Sequence, residues 1–290
     1  MLARRAAPLL RPLHPSCRCF SSSGTTPTSP HPALSVLPAY LSPAEQSLLL
    51  RHSLALLDQP ARTSAAGRKR RREWLTQHQR HNPPWDPAAP PFFMGDDAYA
   101  WEEGHFDGVI RRYREMLVRD GMWHDVAPPA GGGERSALDA VLDKVYALLP
   151  APPTATTTAA ATPPPRAPAS PPPHLIMHLL HLASTGSIAP HVDNLDAFGR
   201  TIVGVSLGGA RVMRFERVSA GAGKGEREGE GDGPDRFDVL LEPGSAYIQA
   251  EHLRTHYTHA VLERAEWDGR QVGGTQRLSI MLRDRLPTDR

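Results

Sequence analysis

Thr201-Ile202-Val203-Gly204-Val205-Ser206-Leu207 and, after a Gly208-Gly209 turn, Val212-Met213-Arg214-Phe215-Glu216-Arg217-Val218 are two short runs of β-branched and apolar residues. Each is too short for a stable helix and is closed by turn residues, so the pair predicts adjacent strands. Runs of the same kind recur at 175–182, 237–241, 245–249, 255–259 and 277–282. No helical crossover separates them, which disfavours a parallel α/β sheet. Many short strands joined by turns predict a sandwich or jelly roll.

Helical patterns lie upstream. Ser42-Pro43-Ala44-Glu45 reads as a helix start, with Ser at the N-cap, Pro at the first helical position and Glu at the third, leading into apolar positions up to Leu57. Two further helices are expected over 108–118 and 136–149, the second from the stripe Leu138, Val141, Leu142, Val145 and Leu149. The expected architecture is therefore α+β and mostly β, a jelly roll packed against N-terminal helices.

The chain divides by composition. Residues 1–20 contain Arg4, Arg5, Arg11 and Arg18, and no Asp or Glu precedes Glu45, the composition of a mitochondrial presequence with cleavage near Phe20. Its apolar stretch is too short and too broken by Pro for a membrane span. Residues 21–41 read as disordered and 42–149 as a helical region. The Pro, Thr and Ala of 150–173 form a linker, and 174–286 a catalytic core with a disordered Gly-rich insert over 220–235. The chain has 33 Lys+Arg against 31 Asp+Glu, and removing the four arginines of 1–20 leaves 29 against 31. A slightly acidic mature protein does not point to a surface that wraps double-stranded DNA. Both cysteines, Cys17 and Cys19, leave with the presequence, so disulfides and thiolate metal sites are excluded from the folded part.

Chemistry concentrates at Pro190-His191-Val192-Asp193. On an extended strand residues i and i+2 share a side, so His191 and Asp193 can grip one metal while Val192 points away. A third ligand must come from elsewhere; His259 in Thr255-His256-Tyr257-Thr258-His259 suits, with His256 as its rival. Two histidines and one carboxylate on one face of a ferrous ion leave three positions open for a co-substrate and dioxygen. Further on, Arg277-Leu278-Ser279-Ile280-Met281-Leu282-Arg283 alternates. Arg277, Ser279 and Arg283 share one side with Met281, and Leu278, Ile280 and Leu282 cover the other. Two arginines on an interior face call for an anion, and a guanidinium fork fits a carboxylate.

These motifs, with 241–248 and Val212-Met213-Arg214, resemble the AlkB-like Fe(II)- and 2-oxoglutarate-dependent dioxygenases, and within them the mitochondrial branch, over about 175–285. The resemblance implies a double-stranded β-helix, iron ligands His191, Asp193 and His259, and 2-oxoglutarate contacts Tyr247, Arg277 and Arg283. Leu180 and Leu182 stand where the nucleic-acid-repairing members carry Asn and Tyr, and Ser279 and Met281 replace their Asn and Thr, so Tyr247 is expected to take over in holding the co-substrate. The implied enzyme is a monomer of the mitochondrial matrix that uses 2-oxoglutarate and dioxygen to hydroxylate a protein or RNA. The branch links it to programmed necrosis and fatty-acid metabolism. The alternatives are an RNA demethylase of alkylated bases and a non-catalytic binding module on the same fold. A cupin-like metal enzyme leaves the paired arginines unexplained.

Three other features have bland readings: the basic run 68–72 with Trp74 as a solvated helix face or a phosphate grip, His174, His178 and His181 as ordinary strand histidines, and the Pro-rich aromatic stretch 85–93 as a packed connector or docking loop.

Overall fold

A computed structural model describes residues 29–61, 63–79, 86, 91–126, 133–150, 170–194, 199–218 and 233–286. The expected presequence, most of the expected 150–173 linker and most of the expected 220–235 insert lie outside them.

In chain order the elements begin with β1 (Leu34–Leu37), α1 (Pro43–Leu57), α2 (Ala65–His78), β2 (Glu102–Gly104), β3 (Ile110–Val118), α3 (Met122–Val126) and α4 (Gly133–Tyr146). There follow β4 (Leu175–His191), β5 (Thr201–Gly208), β6 (Arg211–Arg217), β7 (Arg236–Leu241), β8 (Ala246–Ala250), α5 (Glu251–His256) and β9 (Tyr257–Val261). The chain ends with β10 (Arg264–Trp267), β11 (Arg270–Gly273) and β12 (Arg277–Asp284). α1 starts as its sequence predicts: Ser42 Oγ accepts from the Glu45 amide and the Glu45 carboxylate accepts from the Ser42 amide, satisfying two of the free N–H groups of the first turn.

The main sheet runs β1-β8-β5-β12-β4-β9-β6-β7, all antiparallel. β4 belongs to both halves. Its 175–182 stretch pairs with β12, and its far end pairs with β9, Ile188 opposite Val261 and His191 opposite His259. The bend between them passes Gly186, where a Cβ would stand 2.6 Å from the Arg112 carbonyl oxygen. One sheet is thus β8-β5-β12-β4 and the other β4-β9-β6-β7, folded over each other as a double-stranded β-helix, the predicted jelly roll.

Two cores follow from strand parity. Leu278, Ile280 and Leu282 of β12, with Val203, Val205 and Leu207 of β5, face α1, α3 and α4 through Leu49, Leu56, Trp123, Leu138 and Leu142. Leu180, Leu182, Met213, Phe215, Tyr247 and Val261 fill the space between the sheets, with Met281 at its edge. The apolar side of the 277–283 alternation therefore meets the helices, and its polar side faces the barrel interior.

Several expectations are corrected. Residues 110–118 are a strand, not a helix: β3 pairs along β4, satisfying that edge, and a bulge at Arg112 (φ 49) breaks the alternation. The skip puts apolar residues at Ile110, Tyr113 and Met116, a spacing of three that imitates a helix; tertiary pairing overrides the local pattern. The region 42–149 accordingly carries β2 and β3 besides helices. The stretch 21–41 is not wholly disordered, because β1 pairs with β8 and buries Leu34. Thr255 and His256 belong to α5 rather than to a strand. The basic run lies on α2, where Trp74 is buried against Met94, Ala98 and Tyr99 and has no face left to stack a base. At the end of the aromatic stretch Phe92 and Phe93 pack against the helix-side core.

Candidate active site

Register brings the first two imidazoles together. His191 and His259 are paired residues of β4 and β9, with ring centroids 4.2 Å apart. Asp193, two residues past His191, turns to the same point: its Oδ2 lies 3.6 Å from His259 Nε2, and one donor atom from each of the three residues falls within 4.8 Å of the others. Among the described residues no other group of His, Cys, Asp or Glu is gathered this closely. His256, the rival ligand, is exposed at the end of α5 and stacks on His252 at 4.0 Å.

The protonation pattern fits a cation. His191 Nδ1 is 3.0 Å from the Ala189 carbonyl, which can only accept, so Nδ1 carries the proton and Nε2 keeps its lone pair for a metal. Burial, reinforced by His191, pushes His259 down to about 3, leaving a neutral imidazole. Burial alone would raise Asp193, but Arg283, His259 and His191 outweigh it and hold the carboxyl below its usual range. Asp193 Oδ2 is buried and makes no hydrogen bond. An ionised oxygen without a donor, facing the neutral imidazole of His259, is the environment a divalent cation completes.

Arg283 stands beside the triad and not at its far side. Its Nη2 donates to Asp193 Oδ1 at 3.1 Å and its Nη1 to His178 Nδ1 at 3.3 Å. His178 is thus part of the site wall, which strand parity alone did not disclose; burial and then Arg283 lower it to about 4, so it stays an acceptor. His181 points to the opposite face, where Arg114 and Gln276 bond it, and His174 bonds the Leu149 carbonyl.

Arg277 occupies the barrel interior, 2% exposed, and its Nε donates to Ser206 Oγ at 3.1 Å. No carboxylate pairs with it among the described residues. A buried guanidinium in that state is costly unless an anion arrives. Tyr247 reaches the same interior because residue 204 is Gly: a Cβ there would lie 2.2 Å from the tyrosine ring. Burial raises the Tyr247 hydroxyl, against the pull of Arg277, so it remains a neutral donor. Ser279 Oγ, on the Arg277 side of β12, is buried without a partner. Leu180, Leu182 and Met281 supply apolar walls. The sequence assigns no role to two supporting residues: Ser206, and Arg254, which donates to the carbonyls of Gly199 and Asn194 and so pins the chain beyond Asp193.

The sequence profile of the 2OG-Fe(II) oxygenase superfamily matches residues 155–283, the stretch that contains every residue of this site. Residues 155–283 carry a 2OG-Fe(II) oxygenase domain. The oxygenase domain is similar to the mitochondrial alpha-ketoglutarate-dependent dioxygenase alkB homolog 7 of Bos taurus, 33% identical over 109 residues, 37% of this chain and 44% of that protein. The Mus musculus counterpart is 31% identical over 110 residues, with the same coverage of 37% and 44%. The chain thus spans less than half the length of these curated relatives. Among solved structures, that of OsALKBH1 covers 88% of this chain and 98% of its own at 15% identity and a TM-score of 0.42. A Pseudomonas putida prolyl-4-hydroxylase covers 87% and 91% at 12% and 0.36. The fold assignment of the oxygenase domain stands on its strand order. Oxygenases of this superfamily use Fe(II) and 2-oxoglutarate, and the donor set at 191, 193 and 259 suits the metal.

Proposed function

We propose that this chain is an AlkB-type Fe(II)- and 2-oxoglutarate-dependent dioxygenase that hydroxylates a protein or RNA substrate in mitochondria. The observation that carries the reading is the coexistence, inside one barrel, of a His-Asp-His donor set, half-buried at His191 and buried at Asp193 and His259, with a donor-free carboxylate oxygen and a buried arginine without a carboxylate partner among the described residues.

In this reading His191, Asp193 and His259 hold the iron. Arg283 fixes Asp193 by its outer oxygen, leaving Oδ2 for the metal, and His178 holds the guanidinium in place. Arg277 and Tyr247 receive the distal carboxylate of the co-substrate, with Ser206 setting the guanidinium plane. Leu180, Leu182 and Met281 keep water from the chelating end. Bound there, iron and 2-oxoglutarate supply an oxidative decarboxylation to succinate and carbon dioxide coupled to hydroxylation of a C–H bond. The mitochondrial setting rests on the relatives' names, the presequence on the Arg-rich, acid-free composition of residues 1–20, and the matrix and the link to necrosis and fatty-acid metabolism on the branch the sequence resembles.

The test is succinate formation by the purified chain with ferrous iron, ascorbate, dioxygen and 2-oxoglutarate. Iron-dependent succinate without any added substrate is expected, and its absence contradicts the oxygenase reading.

A further inference from the structure

The β2–β3 hairpin stands beside the metal centre and has no part in the chemistry described so far. β3 extends the sheet next to β4, and the Val109 carbonyl accepts from the Ala189 amide at 2.8 Å, two residues before His191. Tyr113, Glu115 and Leu117 lie opposite Leu182, Leu180 and His178, so this row borders the wall that holds Arg283. Glu102 pairs with Tyr113 and accepts its hydroxyl at 3.0 Å.

The tip is a built turn. The His105 amide donates to Ile110, the Gly108 amide to His105, and Asp107 Oδ1 accepts from the Val109 amide at 2.9 Å while lying 2.8 Å from His105 Nδ1. That frame holds Phe106 outward, 94% exposed, its ring tilted against that of His105 at 4.1 Å between centroids. Phe106 and Leu117 are two of the four large apolar side chains exposed among the described residues. A phenyl ring held in water by a turn of four polar contacts is preorganised for something apolar.

Carboxylates outnumber cations around it, the exposed Arg111 opposite Gly104 being the cation of the hairpin itself. Glu102, Glu115 and Asp107 face this row, with the Glu115 side chain 33% exposed. Burial lifts the Glu115 carboxyl above its ordinary range; His105 and Arg283 oppose it, Glu102 and Asp107 reinforce it. Arg283, the guanidinium that reaches this row, already donates to Asp193 and His178, and Arg112 lines a separate groove with Arg70 and Trp101. The face offers an apolar anchor and three carboxylates, Glu102, Asp107 and Glu115, against the single exposed guanidinium of Arg111.

We propose that the β2–β3 hairpin is the substrate-recognition element of the oxygenase site, and that its occupant is a protein segment presenting a lysine or arginine next to an apolar side chain. The apolar residue meets Phe106, and the cationic one meets Glu102 and Glu115. A phosphodiester chain would meet the same carboxylates as repulsion. The proposal rests on the oxygenase reading above for its meaning as substrate recognition, but binding alone reads it out.

Fluorescence anisotropy on the full chain with iron and 2-oxoglutarate under anaerobic conditions tests it with three probes: a labelled twelve-residue peptide of alternating leucine, serine and lysine, the same peptide with glutamate for lysine, and a single-stranded RNA of twelve nucleotides. The lysine peptide is expected to bind at least about tenfold more tightly than the other two, a difference of about 1.4 kcal/mol. Glu115→Lys is expected to weaken it by about tenfold or more, and Glu115→Gln and Phe106→Ser each severalfold; the isosteric Gln variant guards against misfolding of the Lys one. RNA binding more tightly than the lysine peptide, or peptide affinity unmoved by these substitutions, overturns the proposal. The iron(II)–2-oxoglutarate absorbance of the same wild-type sample separates the two readings. With the band present and no charge-dependent peptide binding, the hairpin proposal alone fails; with the band absent, the oxygenase reading fails whichever probe binds.

Discussion

Arg283 Nη2 and Asp193 Oδ1 are hydrogen-bonded at 3.1 Å, while the other carboxylate oxygen of Asp193 faces His259 Nε2 at 3.6 Å. The arginine therefore does for the carboxylate what the Ala189 carbonyl does for His191: it uses the outer atom and leaves the inner one to a metal. Partners of this kind orient ligands and commonly change metal affinity by about 10- to 100-fold when removed. Arg283→Ala is expected to weaken ferrous iron binding by that factor, and Arg283→Lys by less. Iron stoichiometry after desalting at graded chelator concentrations checks it, and an unchanged affinity in the Ala variant contradicts the orienting role.

Arg277 makes a second prediction with two opposite signs. Its buried charge has no carboxylate partner among the described residues, so Arg277→Met, of similar reach, is expected to leave the melting temperature equal or higher. The same change removes the anion's partner and is expected to cost about 2 to 5 kcal/mol of 2-oxoglutarate affinity. Thermal melts with and without 2-oxoglutarate show both. A Met variant still stabilised by the co-substrate as wild type is contradicts the clamp.

Gly204 is constrained by Tyr247 rather than by its own backbone. A methyl there would stand 2.2 Å from a ring carbon, so Gly204→Ala is expected to displace the tyrosine at about 1 to 3 kcal/mol in stability. Co-substrate affinity is expected to fall in parallel. Tyr247→Phe in the same background tests the coupling: if Tyr247 is already displaced, removing its hydroxyl costs nothing further.

His181 gives the chain a pH dependence away from the metal centre. It is fully buried, with Arg114 and Gln276 as partners, and burial, then Arg114, hold it well below its ordinary value. The unfolded chain takes a proton there below about pH 6.5 and the folded chain does not. Stability is thus full above that pH and falls as pH drops below it, by up to about 1.4 kcal/mol per unit for each such group. Urea unfolding between pH 7.5 and 5.5 is expected to be less pH-dependent in His181→Gln, which keeps an amide for the same partners. An unaltered slope sinks this assignment.

The legible parts of the fold were those where one residue row faces one environment. The 277–283 alternation was such a case, because helices cover one side of β12 and the barrel interior the other. Ser42 and Glu45 were legible for a local reason, as both halves of the capping box lie within four residues. β3 was misread because it is packed on both faces, Tyr113 inward and Met116 and Val118 toward the helices, with a bulge between. The metal-binding candidates could be read from residue type and i, i+2 parity. His259 is already favoured over His256 by the sequence, because its run continues into Ala260-Val261-Leu262; the structure adds its register opposite His191, and the contacts of His178 and Ser206 depend on cross-strand neighbours that no local pattern records.

The most direct test of the whole account is an anaerobic titration of the ferrous protein with 2-oxoglutarate, followed by the visible charge-transfer absorbance that chelation of iron by a keto acid produces. Wild type is expected to develop the band saturably. Asp193→Ala is expected to show none, and Arg277→Ala to require roughly 30-fold to several-thousand-fold more co-substrate. A wild-type protein without the band, or an Asp193→Ala protein that develops it as wild type does, contradicts the assignment of His191, Asp193 and His259 as an iron centre served by Arg277.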